Sequence, residues 1–339
     1  MLDEAKLIQD DRFNYQYLQE WCAGRGGRLS VDQSGGCHRI SFPGTAGEKN
    51  CFFWLPRLDS REAGRPLGAT WRQDSFAGPE AYLPGMLAVL LAAAAGRGRG
   101  TEIVLSLGDA LPEGLDRRRI YYFLMPTGFQ LILAHKGEFE VLVDLTGAAG
   151  GRFGHQGAYE RESRFIRDLE DALAPSHPIY PVGPDAPELV RPYFLLGHRQ
   201  AILSSLVRDG DRLTLAYRLN TFPGDGPDEV FGHFKDALVR AGRPDAGLRV
   251  RPVQAGGRSA ATPQELEPLY RAYERVLGLP PDVDWYTWPS PAGALCRMGY
   301  KTAAFGPGRY PDYLAGAAFD RAAGEKLGSL LRTLLAEEC

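Results

Sequence analysis

Long apolar runs are the first thing missing from this 339-residue sequence. The longest, MLAVLLAAAA from Met86 to Ala95, is about half the length that crosses a bilayer, so no membrane span is expected. The opening MLDEAKLIQDDR mixes acids and bases where a secretory signal needs an apolar centre, and a cytoplasmic location is the expectation. Excess charge is missing too. The formal net charge is -3 and the basic residues are scattered singly among acids, which excludes the electrostatic footprint of a nucleic-acid or anionic-lipid binder. Cysteine is scarce: Cys22, Cys37, Cys51, Cys296 and Cys339 contain no C-x-x-C pair, so a zinc ribbon or dithiol motif has no basis. Reduced, buried thiols are expected instead. No internal repeat occurs. GRGRG and GDALPEG lack the Lys-Ser/Thr and glycine pattern of a phosphate loop.

What is present is ordinary globular composition, 44% hydrophobic and 24% charged, at a length that suggests about two domains. The middle of the chain carries a complete pattern of its own. EFEVLVDLT (138–146) alternates like a strand, and ERESRFIRDLEDAL (160–173) repeats Phe165, Ile166, Leu169 and Leu173 at helical spacing. QAILSSLVRDGDRLTLAYRLN gives two strands joined through Asp209-Gly210. GPDEVFGHFKDALVRAG (226–242) is a second helix, with Asp228 and Glu229 in its first turn and Gly242 past its end; GLRVRPVQ closes the set as a strand. The order β-α-β-β-α-β is that of a ferredoxin-like sandwich, whose free sheet face or edge is left to be paired or wetted.

The flanks supply the parts of an α/β domain. CFFWLPRL, TEIVLSLG, YYFLMP and KTAAFGPG are strands, LPGMLAVLLAAAA is a buried helix, TPQELEPLYRAYERVLG is a helix with a threonine N-cap, and FDRAAGEKLGSLLRTLLAEE ends the chain. One domain is interrupted by another.

Four segments carry a resemblance. MPTGFQLILAHKG (125–137) resembles an acid-Pro-Thr-Gly segment leading to Lys-Gly, and GGRFGH-x-x-x-x-E a glycine-rich turn with a histidine. LAYRLNTFPGDGPDEV resembles a strand ending in arginine before a proline turn and helix, and TAAFGPG the segment before a last metal ligand. In this order they are similar to the zinc exopeptidase and amidohydrolase family that includes acetylornithine deacetylase, succinyl-diaminopimelate desuccinylase, glutamate carboxypeptidases and aminoacylases. The resemblance implies a doubly wound domain from 1–136 and 255–339, with a lid and dimerisation domain inserted at 137–254. It also implies a homodimer formed through the lid.

The family holds two zinc ions, and this sequence departs from the pattern at most ligand positions. PRLD puts Arg57 where a histidine stands and keeps only Asp59. GPEAYLPG offers Glu80 out of register, SLGDALPEG spreads Asp109 and Glu113 apart, Met125 replaces the later acid, and no histidine follows FGPG. Zinc takes nitrogen, sulfur or carboxylate donors, usually four. Arginine has no lone pair to give, and a thioether is a poor partner for a hard cation. No metal ligand and no cofactor are therefore assigned.

The residues left for chemistry are His155, Asp59 and Asp109. In the family the lid histidine, matched by His155, polarises the scissile carbonyl by hydrogen bonding to the oxyanion. Asp59 is either a general base or a loop cap, and Asp109 can handle a proton if burial raises its pKa. The substrate-binding set is Arg57, Arg258, Arg218, Met125 and Trp288. Arg57 is either a cation that keeps the cleft electropositive or an ordinary Arg-Asp pair. Arg258 resembles the arginine with which some members grip a substrate carboxylate, Arg218 is either that or a lid ion pair, and Trp285 and Trp288 either line a remodelled pocket or pack. His135 is expected to be structural.

Three functions remain open. One is a relative that handles an acyl-amino-acid- or peptide-like small molecule without zinc, another a catalytically inactive dimeric scaffold or partner-binding pseudoenzyme, and the third an active amidohydrolase with non-standard ligands.

Overall fold

The computed structural model describes residues 6, 8–9, 12–31, 37–42, 51–55, 70–72, 75–77, 82–95, 101–106, 114–146, 155–173, 199–209, 212–286, 290–309 and 319–337. Its main elements, in chain order, begin with α1 (Tyr15–Ala23), β1 (Arg28–Val31), β2 (Cys37–Phe42), β3 (Cys51–Leu55), α2 (Tyr82–Ala94) and β4 (Thr101–Ser106). Next come β5 (Ile120–Leu124), β6 (Leu131–His135), β7 (Gly137–Leu145), α3 (His155–Leu173), β8 (Gln200–Asp209), β9 (Arg212–Thr221) and α4 (Pro227–Arg240). The chain continues with β10 (Gly247–Gln254), β11 (Gly257–Arg258), α5 (Pro263–Leu277), β12 (Val283–Tyr286), α6 (Pro291–Arg297), β13 (Lys301–Phe305) and α7 (Arg321–Glu337). It divides into two compact units. One comprises Met1–Leu133, Ser259–Asp284 and Met298–Cys339, the other Ala134–Arg258 and Trp285–Arg297.

The first unit is built on a mixed sheet in the order β6-β13-β5-β3-β4-β2-β1. Its middle pairings, β13 with β5, β5 with β3 and β3 with β4, are parallel. Strands in such a position are covered on both sides and read as near-continuous apolar runs, and in β5 every residue from Tyr121 to Leu124 is buried. Helix α2 lies in sequence between the parallel pair β3 and β4, a β-α-β unit. Leu87, Leu90 and Leu91 of α2 pack in one core with Leu266 and Leu269 of α5 and Leu327, Leu330 and Leu331 of α7. Helix α5 starts where its sequence says it should. Thr262 accepts from Glu265 N while the Glu265 carboxylate accepts from Thr262 N, and Gly278 ends the helix at φ 78°.

In the second unit β7, α3, β8, β9, α4 and β10 follow one another as β-α-β-β-α-β, with an antiparallel sheet in the order β8-β9-β7-β10. Alternation in β7 sends Phe139, Val141, Val143 and Leu145 into the core, where they meet Phe165 and Leu169 of α3 and Val230 and Phe234 of α4. Helix α3 is longer than its apolar repeat, starting at His155 rather than near 160. The first turn, HQGAY, brings no apolar spacing that would reveal it.

The opposite face of this sheet is charged. Asp144 accepts from Thr214 Oγ1 at 2.7 Å and pairs with Arg212 and Arg249, each at 2.9 Å. Glu140 pairs with Arg251 at 2.9 Å and Glu138 with Arg218 at 3.5 Å. Burial alone would raise the Asp144 pKa, but the hydrogen bonds from Thr214 and Arg212, with the Arg249 charge, lower it on balance. Cys22, Cys37 and Cys296 are buried, and burial pushes the Cys22 thiol up to about 11. No described helix is long and apolar enough to cross a membrane.

Candidate functional site

Two of the sequence motifs meet in the first unit although about 180 residues separate them. Pro126 steers Met125 away from helical backbone, and the chain turns through Gly128 at φ 67° and Phe129 at φ 64°, the one described non-glycine residue in the left-handed region. The turn is fastened to the Phe305–Gly308 segment. Met125 N donates to Phe305 O at 3.0 Å, Gly128 N to Gly308 O at 2.5 Å and Phe129 N to Gly306 O at 2.7 Å. Thr127 is the centre of the clasp. Its buried hydroxyl donates to Gln130 O at 2.7 Å and accepts from Gly306 N at 3.2 Å. Gly306 is required by proximity, because a Cβ there would sit 2.5 Å from Met125 O and 3.2 Å from Met86 Sδ. Met125 itself is 4% exposed and belongs to the apolar interior.

A second arrangement lies in the second unit, where β6 runs on into β7 and β10 into β11. His135 is paired in register with Gly257, and Ala134 with Arg258. The four glycines here allow backbones to touch. A Cβ on Gly256 would fall on Gly137 N, one on Gly257 would lie 2.6 Å from Arg297 N, and one on Gly293 would lie 2.6 Å from Ala255 O. His135 is fully buried, with Nδ1 2.7 Å from Ser290 Oγ and Nε2 without a hydrogen-bond partner among the described residues. Burial pushes its pKa down to about 3, so the imidazole is neutral. The neighbouring Lys136 is also buried, which lowers its pKa to about 8.

Beside this junction, Arg258 is exposed and its guanidinium carbon lies 4.7 Å from the centre of the Trp285 ring. No carboxylate pairs with it among the described residues. Arg218 is also exposed and lies 3.5 Å from the Glu138 carboxylate. His155 opens α3 instead of lying within a glycine-rich loop. Arg57, Asp59, Asp109 and Trp288 lie outside the described residues, as do Glu80 and Glu113. The described residues therefore bring Arg258 together with Trp285 and Ser290 together with His135, and they place Met125 in a separate clasp. Ser290 was not singled out by the sequence; the only sign of it is its place in WPSP, two residues before an apolar helical stretch. Among the described residues no three of His, Cys, Asp and Glu are grouped so as to hold a metal ion.

A mixed sheet in one unit and a β-α-β-β-α-β arrangement in the other define an α/β class of fold. Comparison with solved structures gives the particular fold. A tripeptidase from Staphylococcus aureus superposes with a TM-score of 0.68 at 11% identity, over 99% of this chain and 96% of that one. Aminopeptidase PepT from Bacillus cereus gives 0.66 at 14% identity, over 96% and 92%. An M20 family metallo-carboxypeptidase from Sulfolobus solfataricus gives 0.65 at 13% identity, over 95% and 93%. The chain has the M20 peptidase fold, in agreement with the resemblance carried by its motifs. No protein-family model and no curated protein matches the sequence.

Proposed function

We propose that this protein keeps the M20 peptidase fold without the dinuclear zinc site, and binds or processes an acyl-amino-acid- or peptide-like small molecule without zinc. The observation that carries the reading is Met125. It stands first in the Pro-Thr-Gly turn, where the resembling family has an acid, and it is buried in the clasp with Met86 Sδ close by at Gly306. A buried thioether offers no charge to a hard divalent ion. Arg57 in place of a histidine and the absence of histidine after FGPG point the same way. The residues available do not fit two zinc ions, and no step is routed through them.

Arg258 supports a ligand rather than a purely structural role. It is a solvent-facing guanidinium with no carboxylate partner among the described residues, and its fork of N–H groups suits a terminal carboxylate. His155, Asp59 and Asp109 remain the proposed catalytic residues, and Arg57, Arg218, Met125 and Trp288 complete the proposed binding set. The lid is proposed as 137–254, a ferredoxin-like domain inserted into the doubly wound domain of 1–136 and 255–339. A homodimer through the lid is favoured by the edge strand β8, where Ile202, Leu206 and Val207 are about half exposed. The cytoplasm is the proposed location.

The test is titration with N-acetyl amino acids and dipeptides in the presence of a chelator. Binding that survives the chelator and weakens at least ten-fold in Arg258→Gln is the expected result. Binding or hydrolysis that depends on added zinc would return the protein to the metal-dependent amidohydrolases.

A further inference from the structure

We propose that Trp285 is a positioning residue for ligand specificity: its indole holds the Arg258 guanidinium flat, so that the N–H fork is presented edge-on to a ligand carboxylate. The inference rests on the reading of Arg258 as a carboxylate grip. Three observations carry it. The guanidinium carbon lies 4.7 Å from the ring centre, within reach of a cation–π interaction. The sheet-face arginines Arg212, Arg249 and Arg251 all spend their charge on Asp144 or Glu140, whereas Arg258 has an aromatic face and no acid among the described residues. Finally, the backbone that bears it is fixed. Ala134 pairs with Arg258 and His135 with Gly257, and Gly257 lies so close to Arg297 N that no side chain fits between them.

The physical consequence is pre-organisation. A free arginine loses several rotamers when it binds a ligand, and an arginine already stacked on a ring loses fewer. A guanidinium lying flat on the ring gives up one π-face and keeps its in-plane N–H groups, which is the geometry of bidentate carboxylate recognition. The ligand class is thus a small molecule with a free carboxylate, such as an N-acyl amino acid or a peptide C-terminus, and a carboxamide at the same position is discriminated against.

The experiment compares a set of N-acetyl amino acids with their matching C-terminal amides by calorimetric titration of the full-length protein. The readout is the ratio of acid to amide affinity. Trp285→Leu is expected to lower that ratio about five-fold, Trp285→Phe to keep most of it, and Arg258→Gln to abolish it. Damage to the fold alone would weaken acids and amides alike and leave the ratio in place. If Arg258→Gln abolishes the preference while Trp285→Leu leaves it unchanged, the role of Trp285 is overturned and the carboxylate grip stands. If Arg258→Gln has no effect on the ratio, or the wild-type protein binds none of the set, the grip itself is overturned and the role of Trp285 with it.

Discussion

The clasp at Thr127 and the junction at Gly256 both tie distant segments together, but by different means. At the clasp a buried hydroxyl and several backbone N–H groups close the contact between Met125–Phe129 and Phe305–Gly308. At the junction side chains are absent where the backbones approach, and Gly137, Gly256, Gly257 and Gly293 do the work by leaving space. One is a polar fastening that tolerates loss of a bond. The other is a steric fit with no slack, and it also buries a neutral histidine and a lysine whose charge is disfavoured.

The difference can be broken most sharply at Gly256. Gly256→Ala is expected to destabilise the second unit by about 3 kcal/mol, since backbone must shift to admit the methyl group; urea unfolding of the variant measures it. Thr127→Val should have a smaller effect, about 2 kcal/mol, by leaving Gly306 N and Gln130 O without their partner. A midpoint shift for Thr127→Val as large as that for Gly256→Ala would erase the contrast.

The junction should also respond to acid. Because His135 has a folded pKa of about 3 against 6.5 for the free group, the unfolded chain takes up a proton that the folded one refuses. Stability is therefore expected to decline as pH falls from about 6.5 towards 3, by up to about 1.4 kcal/mol per pH unit from this residue. His135→Asn should flatten that slope. Lys136 acts in the alkaline range with the same physical cause: stability should rise between pH 8 and 10.5, where only the unfolded chain still holds the proton. The smallest effect belongs to the charged sheet face. Asp144→Asn is expected to destabilise by about 1 kcal/mol, discounted because Arg212 and Arg249 remain solvated; thermal melts at low and high salt should converge as the ion pairs are screened.

The elements themselves were legible because their apolar spacing is strong. Alternation in EFEVLVDLT and helical spacing in TPQELEPLYRAYERVL both reappear as β7 and α5. The start of α3 was not legible, since HQGAY has no repeat to mark it. The motifs MPTGF and FGPG could be picked out singly, but nothing in their spacing says that Thr127 reaches Gly306. Ser290 and His135, 155 positions apart, meet only because β6, β11 and α6 pack together. Arg258 was legible as a cation of interest; that it lies against Trp285 with no carboxylate among the described residues is information only the fold supplies.

Zinc content measured by elemental analysis of the purified full-length protein, after dialysis against micromolar zinc, tests the central claim most directly. Well under one zinc per chain is the expected result. Two zinc ions per chain, retained through gel filtration, would contradict it and would mean that donors other than those read from the sequence complete the site.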